Sequence, residues 1–104
     1  MDQEKRRHDL HIIFGEIPGV KKVYYQPPED IRMVYPCIRY ERANGRTDFA
    51  NNLPYNFTMR YTVTIIDPNP DSRIVEEVAK LPMCTFDRCY SSDDLYHSVF
   101  TLYY

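Results

Sequence analysis

The chain has 104 residues, a formal net charge of −2, 43% hydrophobic residues, ten tyrosines, three cysteines and no tryptophan. That length fits one domain, burying roughly two-thirds of the surface its unfolded chain exposes. The acidic balance offers no electrostatic footprint for duplex nucleic acid, and no apolar run is long enough to span a bilayer.

The N-terminal stretch "MDQEKRRHDLHIIFGEI" spaces its apolar residues and lacks a small-residue cleavage site, so it is expected to be a helix and not a signal peptide. Leu10, Ile13, Phe14 and Ile17 recur at i, i+3, i+4 and i+7, while Glu4, Lys5, Arg7 and Asp9 are assigned to the opposite, solvated face. Pro18 and Gly19 should stop it. An odd number of cysteines without a secretory signal points to free thiols in a reducing cytoplasm.

"VKKVYY" reads as a short strand closed by Pro27 and Pro28, and "YPCIRYER" as a second, with Pro36 held to its start or to an edge. Between them and the next strand lies "RTDFANNLPYNF", residues 46–57, read as a long semi-polar loop. Its aromatic content is too high for a disordered linker. A competing reading closes a hairpin at Asn44-Gly45, whose tip shields the core.

"FTMRYTVTIID" alternates cleanly, with Phe57, Met59, Tyr61, Val63 and Ile65 on one face and Thr58, Arg60, Thr62 and Thr64 on the other. Asn69 is expected to cap a second helix with Pro70 at its first position, and Ile74, Val75, Val78 and Leu81 form its apolar stripe. The last residues read as two strands around a Ser/Asp turn, with Tyr96, Phe100, Leu102 and Tyr104 on one face of the last. The fold class expected is α+β, a mainly antiparallel sheet with two helices on one face, in the order α-β-β-β-α-β-β over one domain, residues 1–104.

No constellation for catalysis or metal binding emerges from the residues. Cys84 and Cys89 are an odd number apart, which in an uninterrupted strand puts them on opposite faces, so semi-buried core thiols are expected. His8 and His11 share a helix face without a third ligand and read as solvated surface. Glu29/Asp30 and Asp93/Asp94 read as turn chemistry. No catalytic residue, metal or cofactor is therefore assigned.

The ordered set "YPCIRYER", "FANNLPY", "RYTVTIIDPNPDS" and "LPMCTFDRCYSSDDLYHSVFTLYY" resembles the small tail-terminator proteins of long-tailed bacteriophages and prophages of Gram-positive bacteria, over roughly residues 20 to 104. The resemblance implies a tail-tube-like fold that assembles as a ring, usually a hexamer, on the finished tail tube. Such a ring stops tube elongation and provides the head-tail joining surface. It implies no enzymatic activity and no cofactor. The implied partners are other copies of the chain, the tail-tube protein and a head-completion or neck protein. Genomic DNA would pass through the lumen without being read, and no membrane is involved. The implied place is the virion neck, reached by assembly in the host bacterial cytoplasm.

On that basis the 46–57 segment becomes an inter-subunit or inter-ring contact loop carried by Arg46, Asp48, Phe49, Asn51, Asn52 and Tyr55, with Arg46 and Asp48 pairing across a subunit boundary. Ring closure is expected at edge strands, taken to be "VKKVYY" and the terminal "SVFTLYY", with Tyr24, Tyr25, Tyr103 and Tyr104 as anchors. The competing reading packs these tyrosines onto the protein's own helices. Rival functions are a head-completion or tail-tube protein, a small RNA-binding module built on Arg60 and the threonines beside it, and last a small enzyme.

Overall fold

A computed structural model describes residues 3–50 and 53–104, with side chains described for residues 4–43 and 59–104. Its elements run α1 (Gln3–Gly15), β1 (Lys22–Tyr25), β2 (Cys37–Ala50), β3 (Leu53–Asp67), α2 (Arg73–Ala79), β4 (Cys84–Ser92) and β5 (Leu95–Tyr103). One five-stranded sheet results, in the order β1-β2-β3-β5-β4. Only the β1–β2 pair is parallel. This is the expected α+β architecture.

Both helices cover one face of the sheet. Leu10 and Phe14 of α1 and Ile74 and Val78 of α2 bury against Ile38 and Tyr40 of β2, Tyr61, Val63 and Ile65 of β3, and Phe100 and Leu102 of β5. The strand residues are every second one along their chains, so period-2 alternation supplies one continuous apolar surface for the helices. Tyr40 is wholly buried at its centre, its ring edge-on to Phe14 and Tyr61. A smaller cluster on the other face joins Tyr24, Cys37 and Ile66 beneath Met33, Tyr35 and Leu95.

Several local expectations need correction. Residues 46–50 and 53–57 are not loop; they prolong β2 and β3 as a ribbon paired from Gly45↔Met59 to Ala50↔Leu53. Asn44-Gly45 makes no turn, because a register shift between Arg42 and Gly45 absorbs one extra residue of β2 and the ladder then resumes. A second shift between Asp48 and Phe49 leaves Tyr55 as the extra residue of β3, next to Pro54, which lacks an amide proton to donate.

The second helix starts at Arg73 and not beside Asn69. Asn69 accepts from the Asp71 amide (2.9 Å) and itself donates its backbone N–H to Asp67 (2.8 Å), two successive side-chain turns that hold this stretch out of the helix. In β4, a register shift between Phe86 and Arg88 inserts one residue and reverses the parity on which the cysteine reading rested. Cys84 lies opposite Leu102 and Cys89 opposite Ser98, on the same face but four β5 residues apart, roughly 13 Å. Cys89 is exposed, Cys84 half-buried and Cys37 buried, all as free thiols.

The terminal strand is not an edge. β5 is held between β3 and β4, so the open edges are β1 and β4. Sequential hairpin pairing of β4 and β5 would have allowed either strand outside; the β3–β5 ladder decides it.

Candidate functional site

Beyond Tyr40 and Tyr103 the sheet loses its outer strands. β1 stops pairing at Tyr25↔Tyr40 and β5 at Arg60↔Tyr103, whereas β2 and β3 continue as an isolated two-stranded ribbon to Ala50↔Leu53. Five to six residue pairs at about 3.3 Å each give an arm roughly 20 Å long, consistent with overall dimensions of 51 × 24 × 23 Å. A lone two-stranded ribbon is marginally stable in water, so this arm is suited to a second surface.

Of the expected contact residues, Arg46, Asp48 and Phe49 lie along β2 and Tyr55 along β3, all within the arm. Their side chains, and Asn51 and Asn52 altogether, fall outside the described residues, as does the expected Arg46–Asp48 pair.

At the root of the arm the core ends in a polar cleft of about 310 Å3 lined by Glu4, Arg7, Tyr25, Arg42 and Tyr61. Residues 38, 40 and 42 share one face of β2, so the strand passes from Ile38 through Tyr40 to Arg42 as it leaves the helices' cover. Arg7, expected on the solvated helix face, instead turns toward the sheet. Its guanidinium lies 4.2 Å from the Tyr25 ring centroid and donates to the Tyr40 hydroxyl at 3.4 Å. Arg7 stands three residues before Leu10, on the helix stripe that meets the sheet, and its long stem covers ring surface while the charge stays wet.

His11 is also not simple solvated surface. It is half-buried, with Nδ1 2.7 Å from the Tyr40 hydroxyl, and burial, then Arg7, His8 and Lys22, hold its pKa below the usual 6.5. His8 remains exposed, 3.9 Å from the Glu4 carboxylate. Neither Arg7 nor Arg42 pairs with a carboxylate among the described residues.

The tyrosines named as edge anchors divide. Tyr24 is buried and its hydroxyl accepts from the Val34 amide at 2.9 Å. Tyr25 is half-buried between Tyr40 and Arg7. Tyr103 donates its amide to the Met83 carbonyl at 3.1 Å. Tyr104 exchanges both backbone bonds with Met59 and lies beneath Arg6, with the guanidinium carbon 5.9 Å from its ring centroid. All four therefore make contacts inside their own chain. The exposed aromatics of an edge are Phe86 and Tyr90 on β4, a strand the tyrosine-based reading passed over. Phe86 leans on Phe100 and Tyr90 stacks on His97 at 4.7 Å, so both rings are half-anchored and half-open.

Among the described residues no cluster of histidine, cysteine and carboxylate groups could hold a metal, and no helix is long and apolar enough to cross a membrane. Compared with family models, curated proteins and solved structures, the chain matches none.

Proposed function

We propose that this chain is a structural assembly protein whose copies close into a ring capping a phage tail tube, where they stop elongation and present the head-tail joining surface. The observation that carries the reading is the arm, a ribbon that leaves the sheet unsupported and needs a partner surface to be worth ordering. A ring requires two different patches on each subunit, closing by rotation. The arm at one end of the sheet and the body at the other are two such patches. The open β4 edge, exposed along nearly its whole length, is a further pairing surface. The same role implies no reaction to catalyse, and a net charge of −2 suits a lumen that DNA must slide through and not stick to.

The test is the mass of the purified protein by light scattering after size exclusion, with negative-stain images of the same peak. Closed rings with a central hole are the expected result. Long tubes would reassign the chain to the tube itself. A protein that neither forms rings nor binds preformed tube ends would refute the terminator reading.

A further inference from the structure

Two features are opposite in charge: a cleft whose two arginines pair with no carboxylate among the described residues, and a turn with two adjacent exposed carboxylates. The turn is Asp93-Asp94, set between Ser92 and Leu95, with both residues at positive φ (55° and 61°). Asparagine, aspartate and glycine are the usual choices for such a two-residue hairpin turn. Aspartate tolerates the positive φ, and two in succession set like charges side by side.

The cleft is built to receive such a group. Stacking on Tyr25 and the bond to Tyr40 fix the Arg7 guanidinium, so less side-chain entropy is lost when it is bound. Arg42 is anchored at its backbone, where its N–H donates to Gln26 Oε1 at 3.2 Å, while its side chain is exposed. Glu4 also lines the cleft, its carboxylate 3.9 Å from His8 Nε2, so that among the described residues two guanidinium groups stand against one carboxylate there.

Cleft and turn cannot meet within one chain. The cleft lies at the level of Arg42↔Tyr61 and Tyr61↔Leu102, the turn beyond Asp67↔Tyr96 at the opposite end. Six β5 residues separate Leu102 from Tyr96, roughly 20 Å. Asp71, exposed in the loop after Asp67, adds negative charge at the turn end. The two patches therefore differ in polarity, the cleft basic and the turn acidic, with Lys21, Lys22 and Arg73 also at the turn end and Glu4 and Glu41 also at the arm end.

From this polarity we infer that the Arg7–Arg42 cleft binds the Asp93-Asp94 turn of a second copy, as the end-to-end contact of a head-to-tail assembly. This rests on the ring reading above and specifies its contact. The arm, which rises from the rim of the cleft, then lies over the body of the neighbour whose turn the cleft holds.

A charge-exchange experiment tests it. One variant carries Arg42→Glu, the other Asp93→Lys with Asp94→Lys; association of each alone, and of the equimolar mixture, is followed by sedimentation velocity. Alone, each variant sets like charges against one another and should associate at least about tenfold more weakly than wild type. Mixed, every cleft faces a turn of opposite sign, and assembly should return to within about threefold of wild type as alternating copies. Asp93→Asn with Asp94→Asn, which keeps side chains that tolerate positive φ, should also weaken association and separates loss of charge from a misfolded turn.

Wild-type association by either variant alone would overturn the contact while leaving the ring reading intact. Weakening without rescue in the mixture would overturn the pairing of these two surfaces. A wild-type chain that stays monomeric up to about 1 mM would overturn the contact, and capping of tube ends would still decide the ring reading separately. Tubes in place of rings would fail the ring reading, with the charge exchange still deciding the contact.

Discussion

Tyr40 links the core to the polar cleft through one atom. Its ring is buried among Phe14, Tyr25 and Tyr61, while its hydroxyl meets His11 Nδ1 and Arg7. Tyr40→Phe should keep the fold and cost about 1 kcal/mol in urea unfolding, because partly exposed His11 and Arg7 can turn to water. A loss above about 3 kcal/mol would mean the hydroxyl organises more than its two partners. His11 adds a pH dependence. With its folded pKa depressed below 6.5, the folded chain binds fewer protons there than the unfolded chain. Its contribution is complete above 6.5 and declines as pH falls through that value toward the folded pKa. Between about pH 7.5 and about pH 5.5, wild type should lose more stability than His11→Gln; equal losses would remove His11 from the account. The thiols should separate by burial in the same way. Cys37, pushed up to about 11 mainly by burial, should resist alkylation near pH 8 until the protein unfolds, whereas exposed Cys89 reacts first. Peptide mapping of the alkylated cysteines in order of appearance checks this.

At the scale of elements, α1 and the arm have opposite energetic roles. Phe14 is fully buried under α1, and Phe14→Ala should cost about 3–5 kcal/mol, a large share of the stability of a domain this size. The arm pairs with no third strand beyond Arg60↔Tyr103, and a lone two-stranded ribbon adds little stability of its own. Changing Asn51, Asn52 and Tyr55 together to alanine should therefore leave the unfolding midpoint nearly unchanged but abolish ring assembly or tail joining. Normal assembly of this triple variant would remove the arm from the interface. The contrast also shows what the sequence makes legible. Alternation along residues 59–65 and the 3-4 spacing of Leu10 and Phe14 are direct consequences of one buried face, and both report it faithfully. The arm reads as loop because Asn44-Gly45 and Pro54 are turn signals at short range, and a ribbon with bulges accommodates them without turning. The cysteine parity failed for the same reason, one inserted residue in β4. Strand order was hidden as well, since the β3–β5 ladder is a long-range pairing that no local pattern encodes. The cleft was equally hidden. Its lining comes from α1, β1, β2 and β3, brought together only by the fold, and the one local clue was Arg7 three residues before Leu10.

At the scale of the whole molecule, a net charge of −2 conceals two local patches of opposite sign. Arg7 and Arg42 stand at the arm end, Asp71, Asp93 and Asp94 at the far corner. Such patches favour contact between unlike surfaces, since like patches repel, and a head-to-tail contact is the geometry a rotationally closed ring requires. It also gives the assembly a definite response to salt. The screening length falls from about 10 Å at 0.1 M to about 3 Å at 1 M. A contact carried by the Arg–Asp cleft should therefore weaken severalfold across that range, mainly through slower association. A contact carried by apolar arm residues would hold or tighten, because salt does not screen apolar burial and excluded salts strengthen it. Sedimentation velocity of wild type at both salt concentrations separates the two. If the cleft supplies the contact, Arg42→Glu should reverse the salt dependence, its weakened association recovering as salt screens the like charges; if the arm supplies it, wild type and Arg42→Glu should follow the same flat curve. Weakening in salt with Arg42→Glu unaffected would place the charges elsewhere, and the Lys21–Lys22 end of the exposed β1 edge would be the next pair to reverse.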